Sequence, residues 1–412
     1  MNEFRGKLEG MIPPYRILDF ADDIGGIFGT KLLADLGADV IKVEPPAGGK
    51  DRRKPPFFKD EVHPEKSLYF LYYNTSKRSI TLNIEHEDGQ AIFKELAKGA
   101  DAVVESFSPG YMKSLGLDYE SLRGINDRLV MASVSPFGQT GPCSHYQSSD
   151  LITMAMSGYA YITGDPKEPP VRPGDEQSHF AGAQYAATSI LLALYHRDYN
   201  SGKGQVIDVS MQEATITYYV DQSPAQSWLY TGQSPTRPGI SSVLSIPLGA
   251  WPCKDGWVGV GTISAKEWDD LAQWIHEATG DEEIISERLK GPTQARMPFV
   301  DEVTARIVNF TSRLTMSELV DEGQRRKLIL LPVLTVPMLL TDPDLEAGEF
   351  WVELDHPVVG RMKYPRGPFE KGDMPPPSRA APLLGEDNQE IYCNELGFSK
   401  QELGALRGAS II

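Results

Sequence analysis

His179 lies in Ser178-His179-Phe180-Ala181-Gly182, directly before the apolar run Ala186 to Tyr195. An imidazole at the start of such a helix is placed to act as a general base or to hold a proton beside a reacting group. Upstream stand His145, Ser148, Ser149 and Asp150. With His179 they supply the residue types of a Ser/His/Asp nucleophilic set, but the G-x-S-x-G elbow that would present the serine is absent. Lys77-Arg78 sit in the polar turn YNTSKRS before a strand, and paired cations at a loop edge bind phosphates. The same pair also suits a plain solvated surface. There is no H-E-x-x-H, and the three cysteines (Cys143, Cys253, Cys393) form no C-x-x-C, so neither a metal site nor a disulfide framework is expected.

These residues need elements to position them. Tyr15–Phe20 reads as a strand, Gly25, Gly26 and Gly29 as a turn, Thr30–Leu36 as a helix, and Ala38–Val43 as a second, nearly continuous apolar strand. That is a βαβ unit of a parallel sheet, in which strands covered on both faces lose their polar alternation. The Gly25-Gly26-x-x-Gly29 spacing is not G-x-G-x-x-G, and Glu44 falls too early for a ribose ligand, so close helix–strand packing explains the glycines better than a nicotinamide site. Further strands are expected at Ser79–Leu82, Ala102–Val104, Leu129–Val134 and Gln205–Val209, with helices at Asp88–Ala97, from Pro109 to Leu115 and at Ala181–His196, the last almost wholly apolar and so buried. The periodicity divides the chain into a large α/β part over 1–214, a linker over 215–240, a small α+β part over 241–330 and a Pro-rich, strand-like stretch over 331–412, as a return wrapping over the large part would look. The small part is built on the hairpin WPCKDGWVGVG with its Asp255-Gly256 turn, and Pro365 to Pro382 carries six prolines and cannot be helical.

The 412 residues supply ample apolar material, 41% of the chain, and a formal net charge of −17 opposes binding to a phosphate backbone. No nucleic acid is expected as a partner. The sequence shows neither a secretory signal nor an apolar run of membrane-spanning length, so a cytoplasmic chain with no membrane partner is expected.

Read together, LLADLGADVIKVEPPAGG (32–49), YNTSKRSITLNI (73–84), ADAVVESFSPGYMKSLGLDYESL (100–122), SPFGQTGP (135–142), LYHRDYNSGKGQVIDVSMQEA (194–214) and APLLGEDNQEI (381–391) resemble the class III coenzyme A transferases. That family includes formyl-CoA transferase, carnitine CoA-transferase and α-methylacyl-CoA racemase. The resemblance implies an α/β fold: a Rossmann-like large domain plus a smaller α+β domain, two chains closing as interlocked rings. It also implies covalent chemistry, in which an aspartate attacks the acyl-CoA thioester, a mixed anhydride and an aspartyl-CoA thioester follow, and the acceptor acid receives CoA.

Counting back from His196-Arg197, the family aspartate falls on His179, and an imidazole cannot form those intermediates. Asp175 and Glu176 lie four and three positions away. Positions that contact CoA in the family fall on Ile24, Pro45, Ser106, Ser114 and Ser135, none of them basic, and the racemase histidine falls on Ser149. The small part reads SSVLSIPLG where the family has a run of glycines. The resemblance therefore implies a chain with no catalytic residue of its own, keeping only Lys77 and Arg78 as CoA-binding candidates. It would be the scaffold of a heteromer with a homologous Asp-bearing subunit, moving CoA from succinyl-CoA to an aromatic dicarboxylate such as (R)-benzylsuccinate, as in anaerobic toluene degradation. No cofactor is expected to be covalently bound, and a coenzyme A thioester is the substrate of the complex. Two alternatives stay open. One is an active homodimeric transferase, lyase or racemase using His179 in place of the aspartate. The other is a non-enzymatic acyl-CoA-family binding protein.

Overall fold

The computed structural model describes residues 11–220, 246–367 and 379–412, with scattered positions between 228 and 239. The chain forms two compact units: Met1–Tyr159, Pro173–Leu229 and Asp344–Ile412 make the larger, and Ala160–Arg172 with Tyr230–Pro343 the smaller.

The larger unit is a parallel six-stranded sheet of β1 (Arg16–Asp19), β2 (Asp39–Glu44), β3 (Arg78–Thr81), β4 (Ala102–Glu105), β5 (Val130–Ser135) and β6 (Val206–Ser210). The order β3-β2-β1-β4-β5-β6 places the reversal of direction between β1 and β4. In such doubly wound sheets a crevice opens at that point, beyond the carboxyl ends of the strands. The continuous apolar runs of the sequence follow from burial on both faces. Ile17, Val40, Ala102 and Val130 enter one core, while their successors Leu18, Ile41, Val103 and Met131 enter the other. The α/β class and the parallel sheet agree with the sequence reading.

The helices used below are α1 (Ile24–Asp35), α2 (Leu68–Tyr73), α3 (Glu87–Lys98), α4 (Tyr111–Ser114), α5 (Tyr119–Arg123), α6 (Asp150–Met156) and α7 (Gln177–His196). Helix α1 begins at Ile24, so the three glycines expected to form a turn lie inside it. A Cβ on Gly25 would come within 2.6 Å of Met211 Cε, and one on Gly29 within 3.1 Å of the Ala183 carbonyl. Gly29 thus lets α1 and α7 approach closely, and Gly25 makes room for Met211 after β6. Helix α7 buries Ala183, Ala186, Ile190 and Leu194 but leaves Leu192 64% and Tyr195 63% exposed. It is therefore covered on one face only, where the sequence suggested full burial.

The expected linker region is helical to residue 220, and most of the stretch from there to residue 240 lies outside the described residues. So does 368–378, the centre of the proline-rich stretch. The chain beyond it closes the free edge of β3. Ser79 N donates to Asp387 Oδ2 at 2.8 Å, Thr81 N to Asn388 Oδ1 at 2.9 Å, and the Tyr392 hydroxyl to the Thr81 carbonyl at 2.7 Å. An edge strand that would otherwise present open backbone groups is thereby capped.

In the smaller unit, β7 (Leu248–Cys253), β8 (Gly256–Gly261) and β9 (Ile329–Pro332) form an antiparallel sheet. One face packs on helices Ala265–Thr279, Val300–Thr311 and Met316–Arg325 through Trp251, Val258, Trp268, Ile307, Phe310 and Leu319. The hairpin expected at Asp255-Gly256 joins β7 to β8. No helix among the described residues is long and apolar enough to cross a membrane.

Candidate functional site

The turn after β1 and the start of α7 meet around His179, which is 7% exposed. Asp23 caps α1 by accepting the Gly25 N–H at 3.0 Å. Its other oxygen lies 3.2 Å from His179 Nε2. On the far side of the ring, Nδ1 is 3.0 Å from Glu176 Oε2 and 3.7 Å from Asp150 Oδ1. These are ionic contacts; Nδ1 has no aligned hydrogen bond. Asp150, at the first position of α6, also accepts from Ser178 N at 2.9 Å and Ser178 Oγ at 2.7 Å. One imidazole thus gathers the beginnings of three helices.

Its charge follows from the surroundings. Burial alone would lower the His179 pKa, but the Asp23 carboxylate, aided by Glu176, outweighs burial and raises it to about 10. The same ion pair overcomes burial to hold Asp23 below the usual carboxylate range. At neutral pH the ring is held as an imidazolium. It has no lone pair to take a proton. A cation in the first turn of α7 also opposes the helix dipole, which favours an anion there by about 0.3–1 kcal/mol. The three carboxylates override that preference.

The Ser/His/Asp set is not assembled. Asp150 does approach His179, but Ser148 Oγ bonds Thr153 Oγ1 at 2.9 Å, while Ser149 and His145 are exposed. Among the described residues, no ion pair or hydrogen bond joins these three to His179.

Lys77 and Arg78 are placed otherwise than the CoA-binding expectation needs. Lys77 is completely buried, donating to Asp19 Oδ2 at 2.8 Å, the Ile27 carbonyl at 2.9 Å and Asn74 Oδ1 at 3.0 Å. Burial drives its pKa down to about 8 despite Asp19. Arg78 is committed to Asp39 at 2.6 Å and Glu395 at 2.7 Å. As placed, both side chains are turned to intramolecular acids at the start of β3.

A crevice of about 350 Å³ does open beyond β1, β2, β3 and β4, as the strand order requires. Its walls include Asp22, Pro45, Gly48, Ile84, Phe107 and Tyr111. The cations that reach it from the loop after β2 are Lys50, 78% exposed at its side chain, and the exposed Arg53. Lys50 pairs with Asp22, and Arg53 donates to the Ala47 carbonyl at 3.1 Å. The run Lys50-Asp-Arg-Arg-Lys54 was the sequence signal for them. Of the altered positions, Ile24 is buried beside Ala21, Ile27 and Tyr73, and Pro45 and Ser114 are exposed. Ser135 is buried with its hydroxyl unpartnered. Ser106 serves the fold: its Oγ accepts from Asp22 N at 2.9 Å and Asp23 N at 3.0 Å, holding the cap of α1 in place. No group of three or more His, Cys, Asp or Glu able to hold a metal ion occurs among the described residues.

Comparison with known proteins places the chain. A family model described as CoA-transferase family III matches residues 13–388. Subunit BbsE of succinyl-CoA:(R)-benzylsuccinate CoA-transferase from Thauera aromatica is 35% identical over 95% of this chain and 96% of its own. The beta subunit of succinyl-CoA–L-malate CoA-transferase from Chloroflexus aurantiacus is 30% identical over 96% of this chain and 97% of its own. A crystal structure of a CAIB/BAIF family protein from Brucella suis superposes with a TM-score of 0.79 at 29% identity, covering 92% of this chain and 98% of that one. The chain belongs to CoA-transferase family III.

Proposed function

We propose that this chain is the non-catalytic scaffold subunit of a heteromeric class III CoA-transferase, and that it pairs with a homologous subunit bearing the nucleophilic aspartate. The observation that carries this reading is the state of His179. Where the family resemblance puts a carboxylate nucleophile, the chain has a buried imidazolium held by Asp23, Glu176 and Asp150. Such a group can neither attack a thioester nor accept a proton at neutral pH, which argues equally against a homodimer using His179 as a base. Two relatives are themselves named as subunits, which supports partnering. The reaction assigned to the complex is CoA transfer from succinyl-CoA to an aromatic dicarboxylate such as (R)-benzylsuccinate, supported by the first of those relatives.

Purification from the native host, followed by succinyl-CoA incubation and hydroxylamine trapping, tests the reading. The expected outcome is a heteromer in which only the partner chain is labelled. A homodimer of this chain with full transferase activity, or acyl label on this chain, would overturn it.

A further inference from the structure

Among the described residues of the larger unit two histidines are buried, and their surroundings fix them in opposite states. His179 is held as a cation. His356, 2% exposed, is held neutral by hydrogen-bond geometry. It ends β10 (Trp351–His356), which pairs antiparallel with β11 (Gly360–Pro365) in a hairpin that follows the re-entry of the chain into the larger unit. In the turn between the strands Pro357 has no N–H. The next two amides, Val358 N at 3.2 Å and Val359 N at 3.4 Å, both donate to His356 Nδ1. A donor needs a lone pair, so Nδ1 is unprotonated and the ring proton sits on Nε2. Nε2 is itself buried, with no hydrogen-bond partner among the described residues. The ring thus closes a turn on its own backbone, as short polar side chains do. It does so through the one atom that protonation would convert from acceptor to donor.

This turn carries the hairpin's hold on the fold. Val359, 7% exposed, enters a cluster with Phe70, Leu71 and Ala381, and Met362 of β11 packs against the same cluster. Helix α2 and the returning tail therefore both meet the hairpin. The charged groups that face the ring are Glu65 from the segment before α2, Glu386 from the tail and Arg52 from the loop after β2. Both acids are already committed. Glu65 meets Arg52 at 2.6 Å and accepts from Leu384 N at 3.0 Å, while Glu386 meets Arg379 at 3.1 Å and accepts from Leu383 N at 2.9 Å. Burial pushes the His356 pKa below its ordinary value against the pull of these acids, and Arg52 adds to the push.

We propose that His356 is an acid-sensitive latch for the β10–β11 hairpin. A proton taken from water onto Nδ1 ends both bonds from Val358 and Val359 and turns an N–H toward two others. It also leaves a cation in a buried site whose acids are paired elsewhere. Release relieves both: the hairpin lifts, the ring reaches water, and Phe70, Leu71 and Ala381 lose part of their cover. The docked state favours the neutral ring, so docking is complete above about pH 6.5 and weakens as pH falls below that value. One proton taken up on release changes the ratio of docked to released hairpin by up to about tenfold per pH unit. The latch is independent of the scaffold reading, because it lies in the hairpin and not at His179.

Hydrogen exchange of the whole chain tests it, read by mass spectrometry and corrected for the intrinsic pH dependence of amide exchange. Peptides over 351–365 should lose protection by up to about tenfold between pH 6.5 and about pH 5.5, while peptides over β1–β5 keep theirs. His356→Asn supplies an uncharged oxygen in place of Nδ1 and should hold the same protection at both values. A wild-type hairpin indifferent to pH overturns the proposal. So does an Asn variant that loses protection as the wild type does, since the response then belongs to another group. Equal loss over β1–β5 is global acid unfolding and overturns it too. If the Asn variant does not fold, residue-by-residue exchange of the imidazole Cε1–H in the wild type decides. The latch requires a His356 pKa below 6.5, and a value at or above it refutes the proposal.

Discussion

Two clusters of charge in the larger unit are balanced differently. In the first, Lys42 meets Asp51 at 3.2 Å, Arg52 meets Glu44 at 2.7 Å and Glu65 at 2.6 Å, and Lys77 meets Asp19 at 2.8 Å. Neutral donors and acceptors complete it: Thr30 Oγ1 donates to Asp19, Ser79 Oγ donates to Glu44, and the Pro382 carbonyl accepts from Arg52. Three cations face four carboxylates, and every member ties β1, β2, β3 or the returning tail to its neighbours. In the second cluster one imidazolium faces Asp23, Asp150 and Glu176. A balanced network is what a scaffold needs. An excess of acid around one cation at a helix start is the mark of a position shaped for other chemistry.

The comparison breaks most sharply at Arg52. Its guanidinium is wholly buried and stacks 3.7 Å over the Phe70 ring. Arg52→Met leaves Glu44 and Glu65 without a cation, and removing one partner of a buried pair costs about 3–5 kcal/mol. A urea midpoint or soluble yield close to wild type would show that the network is dispensable.

The second cluster should respond less, and with a pH signature. His179 has a folded pKa of about 10 against 6.5 for the free side chain. A raised base stabilises fully below the lower value and loses that contribution as pH rises toward the higher one. His179→Gln is therefore expected to cost about 2–3 kcal/mol at pH 6. The gap to wild type should close progressively between pH 6.5 and 10 in urea titrations. A gap independent of pH would mean that the ring packs without carrying charge. Taking the difference between the two proteins cancels the opposite trend from Lys77, whose folded pKa of about 8 makes stability rise between there and 10.5.

His179→Asp sharpens the same contrast through activity. It restores the family's residue type, yet it places a fourth carboxylate among three, with no cation to hold it. Transfer and hydroxylamine-sensitive acylation should stay absent from this chain, and stability should fall by about as much as in His179→Gln. Recovered acylation would show that the site needs only its nucleophile.

The sheet was legible because ADVIKV and LVMASV read as apolar runs wherever both faces are buried. The glycine turn was misplaced because glycines that serve close approach to α7 look, in a linear sequence, like glycines that serve a bend. The short aromatic helix α2 (LYFLYY) gave no periodicity long enough to read. His179 stood out through the family resemblance. Of its partners, Glu176 stands three residues before it and Asp150 was among the candidates, but Asp23 meets it only when the start of α1 folds against the start of α7, and its one signal was its position as a helix cap. The surroundings of Lys77 and Arg78 were not legible because a polar turn looks exposed, whereas the fold carries both into the acids of neighbouring elements.

The smallest effect belongs to an acid that sits in neither cluster. Glu105 ends β4 at the point where the strand order reverses, 3% exposed. Burial raises its pKa to about 7, opposed by the Ser133 hydroxyl and by the Phe107 N–H at 2.7 Å. For an acid raised in the fold the sign is the reverse of the paired carboxylates. The folded state favours the neutral form, so stability is full below about 4.5, declines as pH climbs to about 7 and is level above. Glu105→Gln keeps the shape and removes that loss. The variant should match wild type at pH 4.5 and exceed it by about 1 kcal/mol at pH 8, less than the full shift implies because two donors already satisfy the carboxylate. Thermal unfolding at the two pH values reads the difference. A variant less stable than wild type at pH 8 would mean that Glu105 acts as an ion with a cationic partner.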